Sequence, residues 1–161
     1  IVGAVFHGFR HHFPEVMHQL IWKVALMGIG LTLFFNLLAA LSAVALPVNY
    51  LFWQWTVVAG LILFGWQTVK FEGFGNSVKF LSVGLVVKLL AFGLFAWRQP
   101  EAGPFFLFIG SVVTIGAGGL WATGWSPHQK FNHNDLFHVI QLPGLWLLYR
   151  GALLTTTVQL P

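Results

Sequence analysis

The chain has 161 residues, of which 57% are apolar and only 7% charged. Soluble domains carry about 25% charged residues, so a water-facing globular domain, a coiled coil and a disordered chain are all excluded. The net charge of +4 rests on eight basic residues scattered along an apolar chain; that makes no stripe for nucleic acid and fits the basic loops of an inner-membrane protein.

A membrane-spanning helix needs about 20 predominantly apolar residues, and the breakers divide the chain accordingly. Residues 1–12 open apolar, without a methionine or a basic leader, and read as the end of a helix that starts upstream. Helices are expected over 16–46, which Pro47 ends, and over 50–69, which a turn with two glycines follows. The next covers 77–97 and closes at Arg98-Gln99-Pro100-Glu101. The last two cover 103–124 and 135–158, and Pro143 is expected to kink the latter.

Strands of a transmembrane barrel would alternate with period two over about 10 residues, and these runs do not. The expected fold is therefore all-α: a polytopic transmembrane helical bundle in a single domain, 1–161, with five complete helices and part of a sixth. Gly110, Gly116, Gly118 and Gly119 are expected to let the 103–124 helix approach a neighbour closely.

Parity of the helices places Arg10, Lys70, Lys79 and Lys130 on one membrane face and Arg98 on the other. By the positive-inside rule the first face is cytoplasmic. Trp53, Trp55, Trp97, Trp121 and Trp125 fall near helix ends, as interfacial anchors do. Lys23, one to two turns inside the histidine-bearing face, is expected to snorkel or to reach Glu15 or Asp135. Lys88 falls mid-helix with no carboxylate at its depth.

Histidine outnumbers the carboxylates, seven to four. By the same parity His7, His11, His12, His18, His128, His133 and His138 all belong to the cytoplasmic face. His11, His12 and His128 suit the headgroup level, whereas His7, His18 and His138 lie in or at the mouth of apolar runs, where an ionisable group is a functional candidate. His7 and His11 are one helical turn apart, as are Asn134 and His138. Imidazoles from two or three helix ends can converge on zinc, and an open fourth position would lower the pKa of a bound water towards about 7. The absence of cysteine excludes thiolate ligands.

The stretch Phe131-Asn132-His133-Asn134-Asp135-Leu136-Phe137-His138 resembles the seven-helix superfamily of alkaline ceramidases, adiponectin and progestin receptors and related membrane hydrolases. It is closest to the uncharacterised bacterial members, which carry a similar stretch near the C-terminus. The resemblance implies a seven-helix full chain, truncated here at its N-terminus, and a zinc site. In the family pattern a Ser-x-x-x-His ends helix two, an Asp opens helix three and a His-x-x-x-His opens helix seven.

His7 and His138 match this pattern. Gly3, His18 and Asn134 stand at the family Ser, Asp and first helix-seven His. His18, His11 or His133 would then complete the ligand set, with Asn134 a weaker candidate and Asp135 or Glu15 as general base.

Three functions are consistent with these residues. The first is a zinc-dependent hydrolase of lipid amides or esters, with its site at the cytoplasmic face of a bacterial inner membrane. The second is a non-enzymatic integral subunit of a larger membrane assembly, contacting lipid, pigment, quinone or partner subunits through its aromatic surface. The third is a b-type haem-binding bundle using paired histidines.

Overall fold

Proline and short polar turns punctuate the observed helices much as they do the sequence. The computed structural model describes residues 14–44, 47–70, 74–128 and 131–157. Within them lie α1 (Glu15–Val44), α2 (Pro47–Lys70), α3 (Phe74–Arg98), α4 (Ala102–Ala122) and α5 (His133–Thr157). The fold class is all-α, as expected. Pro47 opens α2, where the missing N–H has no intrahelical partner to lose. At the other end of the chain, α5 runs through Pro143 as one helix.

Four helices, α1 to α4, are long and apolar enough to cross a membrane, and the chain is an integral membrane protein in that sense. The expected fifth span differs. Although α5 has 25 residues, it is not among the helices apolar enough to cross. His133, Asn134, Asp135, His138, Gln141 and Arg150 interrupt its apolar character.

The chain divides into two compact units, Ile1–Gly84 and Leu85–Pro161, and α3 is continuous across the division. In the first unit α1 and α2 pack antiparallel. Gly30 of α1 gives its space to the ring of Phe64, and Met27 lies against Gly65. At the α2 C-terminus, the Lys23 ammonium donates to the carbonyl of Val69 at 3.3 Å. A cation is well placed there, because the last carbonyls of a helix have no partner within it. Lys23 therefore serves a helix end rather than a carboxylate. Gly84 of α3 leaves room for Leu33 and Leu37, and Phe64 stacks near Phe80 with ring centroids 5.7 Å apart.

In the second unit α4 and α5 form an antiparallel hairpin that packs backbone against backbone. A methyl at Gly110 would stand 2.9 Å from the carbonyl oxygen of Gly144 and from the amide of Leu148. One at Gly151 would stand 2.8 Å from the amide of Leu107 and 2.9 Å from the oxygen of Gly103. Gly103 and Gly110 on α4, like Gly144 and Gly151 on α5, are two helical turns apart and so share a face. Only residues without a side chain allow such an approach, and dispersion across it replaces the hydrophobic drive that lipid removes. Of the four glycines expected to pack, Gly110 does so. A Cβ at Gly116, Gly118 or Gly119 would meet nothing within 4 Å.

Candidate functional site

The polar end of the α4–α5 hairpin is built from its two helix termini. α4 ends at Ala122 with Thr123 as its C-cap, and the next residue, Gly124, has a left-handed φ of 68°; its amide donates to the Trp121 carbonyl at 3.0 Å. A glycine adopts this conformation without a Cβ clash, which turns the chain out of the helix. A short turn follows in which His128 and Phe131 exchange backbone hydrogen bonds, and Asn132 then starts α5.

Asn132 is the N-cap. Its Oδ1 accepts from the amides of Asn134 at 2.8 Å and Asp135 at 3.3 Å, while Asp135 Oδ2 accepts from the Asn132 amide at 3.0 Å. This reciprocal box satisfies amides that no helix turn can reach, and the carboxylate also complements the positive end of the helix dipole. The amide of His133 donates to Ser126 Oγ at 3.1 Å. Across the hairpin, the indole N–H of Trp121 donates to Asn134 Oδ1 at 2.7 Å. The same ring lies 6.3 Å from the imidazole of His133, centroid to centroid.

Each candidate residue then has a definite place. His133, Asn134 and Asp135 come together in the first turn of α5, held by the cap and by Trp121. His138, one turn further on, is exposed, with its ring 5.0 Å from that of its neighbour Phe137. His18 and Glu15 belong to the first unit: the His18 side chain is 15% exposed, and its Nδ1 lies 3.9 Å from Glu15 Oε2. His7 and His11, with Gly3, lie outside the described residues. Among the described residues no group of three His, Asp or Glu side chains is arranged to hold a metal ion.

Trp121, Asn132 and Ser126 organise this end of the hairpin, and none was a sequence candidate. The Asn132-x-x-Asp135 spacing is the signal that identifies the cap. Trp121 also departs from its expected role: it is partly buried and holds Asn134, whereas Trp53, Trp55, Trp97 and Trp125 are exposed near helix ends. Trp66, near the end of α2, lies under the Lys70 ammonium at 4.8 Å.

Residues 1–156 match the model of a family described as a family of unknown function, DUF6962, and the chain belongs to that family. Neither the curated proteins nor the solved structures include a match.

Proposed function

We propose that this member of the DUF6962 family is a non-enzymatic integral subunit of a larger assembly in a bacterial inner membrane, with its histidine-bearing end at the cytoplasmic face. The outward surface of α2 carries this reading. Leu51, Phe52, Trp55, Ile62, Leu63, Trp66 and Val69 are all exposed along it, which leaves most of that helix for lipid or neighbouring subunits. The residues that resemble a hydrolase motif have structural partners as well: Asn134 receives the Trp121 indole, and Asp135 closes the cap.

The test is purification in a mild detergent without chelator. We expect the protein to migrate with larger partners after crosslinking and to carry less than about 0.2 equivalents of zinc. One equivalent of zinc, lost in His18→Ala and His138→Ala variants, would overturn this reading.

That result would favour a second reading, a zinc-dependent hydrolase of lipid amides or esters. His18 supports it, since a largely buried imidazole with a carboxylate on its Nδ1 side resembles the outer-shell arrangement that orients metal-bound histidines. His7, His138 and one of His11, His18 or His133 would be the ligands, and Asp135 or Glu15 the base. Haem binding has no comparable support, and a spectrum of purified protein without a Soret band would dispose of it.

A further inference from the structure

α2 ends in a cation laid over an apolar row. Ile62, Leu63, Trp66 and Val69 are exposed along its last turns, and Lys70 is its final residue. Ile62, Trp66 and Lys70 follow one another at spacings of four, which lines them up on one side of the helix. The Lys70 ammonium lies over the Trp66 ring, 4.8 Å from its centroid, so the side chain folds back along that row. Contact with a ring face leaves the ammonium its charge.

A second cation reaches the same helix end. Lys23 of α1 donates to the Val69 carbonyl at 3.3 Å, and the bonds of the Val69–Lys70 peptide then put its ammonium within about 6 Å of the Lys70 amide nitrogen. A third, the exposed Lys79, stands in the second turn of α3, beside Phe80, whose ring stacks near that of Phe64 on α2. Among the described residues of this unit, three lysines thus stand against one carboxylate, Glu15, which lies 3.9 Å from His18 Nδ1.

The depth of this end is set by length. α2 has 24 residues, about 36 Å at 1.5 Å per residue, against a hydrocarbon layer of about 30 Å. Its last residue therefore reaches the headgroups, and Trp66, one turn earlier, the boundary where amphipathic rings settle.

We propose that this end of α2 binds an anionic phospholipid, with the phosphate at Lys70 and Lys23 and an acyl chain along Trp66, Leu63 and Ile62. The excess of positive charge selects the headgroup. A zwitterionic lipid brings its own ammonium to the phosphate and gains less from the lysines, whereas an anionic one keeps its full attraction to them. The apolar row selects against a free phosphate, which has nothing to place on it. The fold of Lys70 back over Trp66 selects against an acidic protein segment arriving from water, because it turns the charge towards the lipid boundary. The site depends on α2 spanning a membrane and on neither reading of the protein's function.

The test titrates the full chain, in a non-ionic detergent, with phosphatidylglycerol and phosphatidylcholine of identical acyl chains, and counts bound lipid by native mass spectrometry. The first phosphatidylglycerol is expected to bind at least about tenfold more tightly than phosphatidylcholine. Lys70→Gln should weaken phosphatidylglycerol about fivefold and leave phosphatidylcholine within about twofold. Arg98→Gln, which removes the same charge from the other end of α3, should change either lipid by less than about twofold. Equal affinity for the two lipids would overturn the proposal. So would phosphatidylglycerol binding unchanged in Lys70→Gln, or weakened equally in Arg98→Gln. The comparison of lipids needs only the wild-type protein, so it decides the matter even if a variant fails to fold.

Discussion

The two helix pairs, α1 with α2 and α4 with α5, hold together in different ways. In the first pair Gly30 admits the Phe64 ring and Gly65 meets the Met27 side chain, one ammonium crosses to the Val69 carbonyl, and much apolar surface stays exposed. The second pair brings main chain to main chain at Gly103, Gly110, Gly144 and Gly151, and ties its polar end with a Trp–Asn hydrogen bond and a reciprocal cap. Its second helix is also the less apolar one. A helix rich in polar residues gains most from a close, specific partner, because lipid cannot satisfy those groups.

The sharpest way to break this contrast is one substitution made at two places on α4. Gly110→Ala puts a methyl 2.9 Å from backbone atoms of α5 that cannot swing aside. After the gain in helix propensity is deducted, it should cost about 2 kcal/mol. Gly116→Ala meets nothing within 4 Å and should be neutral or stabilising by up to about 1 kcal/mol. Reversible unfolding in detergent measures both. Similar losses at the two positions would remove the backbone seam as the cause.

Next in size is the bond across the hairpin. Trp121→Phe leaves the part-buried Asn134 oxygen without its donor and should cost about 1.5 kcal/mol. A double-mutant cycle with Asn134→Ala should return a coupling of about 1 kcal/mol; additive losses would mean that the bond contributes nothing specific. The cap ranks third. Asn132→Ala should cost about 1 kcal/mol, with most of it recovered in Asn132→Ser, as hydrogen exchange at the first amides of α5 would report. The smallest effect belongs to the looser pair: Lys23→Met removes one exposed contact to Val69 and should change stability by less than about 0.5 kcal/mol.

The cap was legible in the residues themselves. Asn132-x-x-Asp135 has the spacing of a reciprocal box, but the neighbouring histidines drew the same residues into a metal-site reading. Trp121 was harder to place. A tryptophan near a helix end reads as an interfacial anchor, and only the position of Asn134 on the next helix makes it a donor across the hairpin. The histidine site itself was legible as a composition and a parity. The described residues place His133 with Asn134 and Asp135 at the start of α5, and His18 with Glu15 at the start of α1.

Composition and breaker positions were enough to determine an all-α membrane protein with helices close to the observed bounds. Both properties are set locally, by hydropathy and by residues that cannot continue a helix. Whether a given glycine forms a seam or faces outward was decided only by tertiary structure: Gly110 and Gly116 lie on the same helix and differ only in what stands opposite them. The same holds for Lys23 and for Trp121, whose partners are a carbonyl and an amide on another helix. A residue's partner across a helix pair depends on how two surfaces meet, and periodicity along one chain carries no record of that.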